Sequence, residues 1–142
     1  IKGSRADGKK LRERFLSSLP ALATLKNRVD FASEKNFLKG LDGRKILVRH
    51  KHAALNTLLQ GAGAILMKKA LCILADRLQL SGTPHKFVAN IHDEWQIEVL
   101  ECRANKVGQL AVDSIIKAGE HFNLRCPMDG EYKIGDNWSE TH

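Results

Sequence analysis

The sequence predicts an α+β fold in which an antiparallel sheet packs on long helices. Three observations carry this. Two long segments repeat apolar residues at helical spacing, one segment near residue 90 alternates apolar with polar residues, and no strand-helix-strand alternation links them. A chain of 142 residues, 43% of them hydrophobic, has the apolar material for an ordinary core.

Residues 9–19 read as a basic amphipathic helix with Leu11, Phe15 and Leu19 on one face, stopped at Pro20. Pro20 is itself well placed to open a second helix, which carries Leu22, Leu25 and Val29 and ends near Glu34. Leu41-Asp42-Gly43-Arg44 reads as a turn, because Asp supplies a side-chain bond and Gly a permissive backbone. Ile46 and Val48 then suit a short strand. The longest helix is expected over residues 52–80, on the spacing of Leu55, Leu58, Leu59, Ala62, Ile65, Leu66, Ile73 and Leu74. Gly61 and Gly63 weaken it by about 1 kcal/mol each relative to alanine, which points to close packing or to approach by a ligand. Ser81-Gly82-Thr83-Pro84 ends it. Residues 87–92 and 95–100 predict a hairpin, since Trp95, Ile97 and Val99 alternate with Gln96 and Glu98. A helix over residues 104–121 follows, with Val107, Leu110, Ala111, Ile115 and Ala118 inward, and residues 128–134 suit a last strand.

Composition narrows the function. Cys72, Cys102 and Cys126 are odd in number and widely spaced, which argues against a disulfide framework or a zinc site and for ordinary thiols in a reducing compartment. The most apolar stretch, residues 61–75, is interrupted by Lys68-Lys69, so no membrane span is expected. The net charge of +7 is unevenly spread: residues 1–51 hold 14 Lys/Arg against 5 Asp/Glu, and the remainder is slightly acidic. Lys9, Lys10, Arg12 and Arg14, and then Arg44, Lys45, Arg49 and Lys51, form clusters suited to phosphates as well as to solvent.

The hairpin tip is less generic. Its expected turn, Asp93-Glu94, lacks the residues that favour positive φ and places two carboxylates side by side, which repel unless a cation sits between them. Local rules are broken mostly at functional sites, although an ordinary exposed turn accounts for the same residues. His92 either contacts a ligand there or ends a strand.

His92-Asp93-Glu94 between two apolar strands resembles the third polymerase motif of the family A DNA polymerases. The stretch from His52 through Asn56 to Gln60 is similar to the family's helix before that motif, and Leu41-Asp42-Gly43-Arg44 to the turn before that helix. Phe15 with Pro20, and Gly135-Asp136-Asn137-Trp138 with the closing His142, resemble further elements, the latter a C-terminal strand. The wording is nearer to phage replicative enzymes than to the bacterial repair enzyme, and the motifs run in order along essentially the whole chain.

The resemblance implies a C-terminal part of a polymerase, with residues 1–40 returning from the fingers and residues 41–142 belonging to the palm. It implies Asp93 as a ligand of a site for two magnesium ions, Glu94 as an auxiliary carboxylate and His92 near the primer terminus. Asn56 and Gln60 would face the minor groove of primer-template DNA, whose acceptors check pairing without reading sequence. His52 and Arg44 would also contact DNA, though many relatives have arginine at the position of His52. The incoming substrate would be a deoxynucleoside triphosphate, and the compartment the cytoplasm of a phage-infected or prophage-bearing bacterium.

The family's Asp-aromatic-Ser-x-x-Glu motif has no counterpart here. Arg5 and Lys9 have the spacing of its fingers motif, but no Tyr-Gly follows and Asp7-Gly8 is expected to interrupt the helix. The isolated chain is therefore expected to be inactive, to need a missing N-terminal polymerase region, and to expose palm surface through which it could form a homodimer. A non-catalytic DNA-binding remnant, or one half of a split polymerase, is the alternative. A metal hydrolase built on His92-Asp93-Glu94 with His50, His85 or His121 is a third.

Overall fold

The computed structural model describes residues 3–142, so the first two residues of the expected 1–40 segment lie outside it. The chain divides into two compact units, Ile1–Gln60 and Gly61–His142.

The first unit opens with helices α1 (Arg5–Ser18) and α2 (Pro20–Ser33). α1 starts earlier than its apolar periodicity indicated, because Ser4 and Asp7 cap it reciprocally: Ser4 N donates to Asp7 Oδ2 at 2.9 Å and Asp7 N to Ser4 Oγ at 3.3 Å. Asp7 and Gly8 thus lie inside the helix and do not interrupt it, contrary to expectation. α2 begins at Pro20, whose missing N–H costs a first turn nothing. A strand not foreseen in the sequence, β1 (Phe37–Lys39), pairs antiparallel with β2 (Lys45–Leu47) around the Asp42-Gly43 turn, where Gly43 has φ of 85°. A short 3-10 turn, Lys51–Ala53, leads into α3 (Ala54–Leu80). The core of this unit is Val29, Leu38, Val48 and Ala54, with Leu25, Ala32, Ile46, Leu55 and Leu58 packed on it.

The second unit is built from the rest of α3, the hairpin β3 (His85–Ile91) and β4 (Glu94–Val99), and α4 (Glu101–His121). α3 runs unbroken through Gly61 and Gly63, and a Cβ at Gly63 would meet open space, so close packing does not explain that glycine. Leu74, Leu78 and Val107 form one core cluster under Trp95, Ile97 and Val99, while Leu66, Ala70 and Ala118 form another with Ile115 and Met128. The inward sides of β4 and α4 are those the alternation and helical spacing predict.

Two expected strands are absent. Residues 128–134 form no strand, because they lie along α4 with no partner strand to pair with. A Cβ at Gly108 would come within 2.3 Å of the Tyr132 ring, and one at Gly119 within 2.5 Å of Met128 Cγ, so these glycines let the segment settle on the helix. The closing residues form not a strand but a single helical turn, α5 (Trp138–Thr141). Cys72, Cys102 and Cys126 are all exposed.

The expectation that Lys68-Lys69 rules out a membrane span is also corrected: by length and composition alone, the helical stretch Lys51–Leu80 is long and apolar enough to cross one. Leu66, Ala70, Leu74 and Leu78 are nonetheless buried against the protein's own core, and a core helix passes the same test.

Candidate active site

In the second unit, β3 and β4 are paired so that Ile91 faces Glu94, leaving His92 and Asp93 as a two-residue turn. The expected turn at Asp93-Glu94 is thus displaced by one residue. Tight hairpin turns need a positive φ, and His92 supplies it at 51°, a conformation histidine tolerates better than most side chains. Glu94 becomes the first residue of β4.

This frame separates the two acids chemically. Asp93 is exposed at the turn and, among the described residues, its carboxylate has no hydrogen-bond or ion-pair partner. Glu94 is half-buried and fully engaged. Its Oε1 accepts from Gln96 Nε2 at 2.5 Å and from Trp138 Nε1 at 3.0 Å, and its Oε2 lies 2.8 Å from His142 Nδ1. The hydrogen bond from Gln96, then that from His142, hold its carboxyl below the usual glutamate range, against a smaller opposing effect of burial. These donors stabilise the charge that Glu94 carries beside Asp93.

A hard divalent cation takes only one or two protein carboxylates, with waters and substrate oxygens completing its shell. Asp93 fits one such position. Among the described residues no group of three or more His, Cys, Asp or Glu side chains could hold a metal, so a metal at Asp93 would need ligands from elsewhere and the hydrolase alternative lacks its cluster.

In the first unit, Asn56 and Gln60 are both exposed and lie one helical turn apart on α3, as their spacing predicts. His52 is exposed and stacks on His50, with ring centroids 5.5 Å apart. Arg44 is tied to its own turn, its Nε donating to Asp42 Oδ2 at 2.6 Å. Sequence reasoning named Gln96 only as a polar position of the strand and Trp138 and His142 only as closing residues, and it did not name Thr141. No periodicity marks residues that meet across 44 to 48 positions.

A family profile described as DNA polymerase family A matches residues 1–140. The chain belongs to that family. It is 37% identical to a DNA-directed DNA polymerase of Enterobacteria phage T3 and 36% identical to one of Escherichia phage T7, each alignment covering 95% of this chain and 22% of the relative. DNA polymerase I of Aquifex aeolicus is 32% identical over 92% of this chain. Among solved structures, a polymerase domain of Pol1 from M. smegmatis, in complex with DNA primer-template and dNTP, superposes with a TM-score of 0.80 over 99% of this chain. At 20% identity that likeness concerns the fold. The chain spans about a fifth of the length of the phage relatives it matches.

Proposed function

We propose that this chain is the C-terminal part of a DNA-directed DNA polymerase that extends a primer 3′-hydroxyl from deoxynucleoside triphosphates on a DNA template. The observation that carries the reading is the unpartnered carboxylate of Asp93 at the turn of the family's third motif. In this reading residues 1–40 return from the fingers and residues 41–142 complete the palm. The protein works in the cytoplasm of a phage-infected or prophage-bearing bacterium.

Asp93 holds one oxygen ligand ready for magnesium, and Glu94 stands beside it as an auxiliary carboxylate. A pair of magnesium ions, bound by Asp93 and a carboxylate of the N-terminal polymerase region, would supply activation of the hydroxyl and neutralisation of the leaving triphosphate. His92 presents its ring to the primer terminus from the same turn. Asn56 and Gln60 offer side-chain amides to minor-groove acceptors, which are shared among base pairs and so test pairing geometry. His52 and Arg44 add contacts to the DNA backbone.

Without the fingers Lys and Tyr and the partner carboxylate, nothing in this chain positions a nucleotide, and positioning accounts for much of phosphoryl transfer. Primer extension by the chain alone is expected to be undetectable, and robust extension would overturn that claim. Supplying a polypeptide with the two absent motifs should restore extension. Asp93→Ala should then lower it on the order of a thousandfold, the equivalent of the several kcal/mol that metal-ion catalysis provides.

A non-catalytic DNA-binding role, as a remnant or as half of a split polymerase, is favoured by the excess of basic residues in positions 1–51. Salt-dependent duplex binding that Asp93→Ala leaves unchanged, with no extension in any combination, would select it. Exposed Leu80, Val88 and Leu100 support either docking of the N-terminal polymerase region or a homodimer.

A further inference from the structure

Glu94 and Gln96 sit two residues apart on β4 and so share one face of the strand, while Trp95, Ile97 and Val99 on the other face enter the core. The closing residues grip that first face at both positions. Trp138 Nε1 and His142 Nδ1 reach separate oxygens of Glu94, and Thr141 Oγ1 donates to Gln96 Oε1 at 3.1 Å. Trp138 and His142 meet edge to face, with centroids 5.9 Å apart. The grip is braced from within: Asp136 N and Asn137 Nδ2 donate to the two oxygens of Glu140 at 2.9 and 2.6 Å.

Neither partner is self-sufficient. A single helical turn such as α5 is too short to persist in water unaided. A two-stranded hairpin is marginal alone, and this one closes through a histidine in the left-handed region. The pair Ile91 and Glu94 closes the turn, so whatever fixes Glu94 restrains His92 and Asp93.

We propose that residues 138–142 form a clamp that positions the turn bearing Asp93 by gripping Glu94 and Gln96. Glu94 is then a positioning residue, because three donors already hold its carboxylate and hydrogen bonds to a charge are the strong kind. Trp138, Thr141 and His142 act through it. The clamp deepens the polymerase reading, resting on it only for the statement that Asp93 binds metal.

The test uses the full chain, with amide hydrogen exchange at residues 91–96 and paramagnetic broadening by Mn²⁺ as readouts. In the double variant Trp138→Phe with His142→Ala, exchange at the turn should quicken about tenfold, the scale of losing hydrogen bonds to a charged acceptor. Mn²⁺ affinity at Asp93 should fall severalfold. Amides near Val107 and Leu74 should be unchanged. Replacing the alanine by His142→Asn, which puts an N–H donor back near the position of Nδ1, should recover most of both losses. Unchanged exchange in the double variant, or a loss spread evenly into α4, overturns the clamp. If the unaltered chain shows Mn²⁺ broadening that Asp93→Asn does not abolish, the metal reading fails; if it shows none, as a site with one carboxylate allows, exchange alone decides the clamp.

Discussion

α1 and α4 look alike in sequence and differ in what they do. Both carry apolar residues at helical spacing, charged residues between them and internal glycine, one in α1 and two in α4. α4 buries Val107, Ser114, Ala118 and Gly119, and the chain folds back along it. α1 has no buried residue: Leu11 and Phe15 are 56% and 55% exposed, and Leu19 at its C-cap is 44% exposed. An amphipathic stripe announces that a helix has a partner, without saying whether the partner lies in the same chain. A chain that covers a fifth of its relatives' length has room for partners elsewhere.

The difference is breakable by truncation. Leu74 is fully buried under the hairpin, so Leu74→Ala should cost about 3 kcal/mol in urea unfolding followed by tryptophan fluorescence. Phe15→Ala on the exposed stripe should cost less than about 0.5 kcal/mol, although phenylalanine is the larger side chain. Equal losses would mean that α1 packs on something in solution.

The two glycines sharpen the contrast with opposite signs. Gly8 has nothing within 4 Å of an added Cβ, so Gly8→Ala should stabilise α1 locally by about 1 kcal/mol, read as helicity by circular dichroism. The same change at Gly108 drives a Cβ into the Tyr132 ring, which must shift to make room. Its cost should outweigh the helical gain, for a net loss of about 1 kcal/mol, with amide shifts centred on residues 130–134.

These cases also mark what the sequence could say. α3 and α4 were legible because helical periodicity accumulates over many turns, and β4 because Trp95, Ile97 and Val99 alternate without exception. Asp93 was legible because the motif around it is local. The frame of its turn was not. His92-Asp93 and Asp93-Glu94 are both poor turns by local rules, and the choice is coupled to contacts from Glu94 to Trp138 and His142, which periodicity does not reach. Residues 128–134 misled for a related reason: Met128 is half-buried against a helix instead of a strand, and Tyr132 lies beside Gly108 of that helix while its ring stays exposed. β1 was missed because a three-residue strand carries too little pattern to detect.

The smallest effect is expected where α1 begins. Asp7 accepts from both the hydroxyl and the backbone N–H of Ser4, and these bonds, the hydroxyl's first, hold its carboxyl below the usual aspartate range despite a slight opposing effect of burial. A carboxyl with a depressed folded value contributes stability that is complete above its unfolded value, near 3.9, and is lost as pH falls through the folded one. α1 should therefore fray from its N-terminus below about pH 4, seen as loss of protection at the first-turn amides, with the buried turns of α4 unaffected over the same interval. Asp7→Asn should show the frayed state at neutral pH and no further change on acidification. Because α1 buries none of its residues, its first turn leans chiefly on the cap; if that turn instead stays protected at pH 3, a partner surface holds the helix, and the contrast with α4 drawn from exposure is wrong.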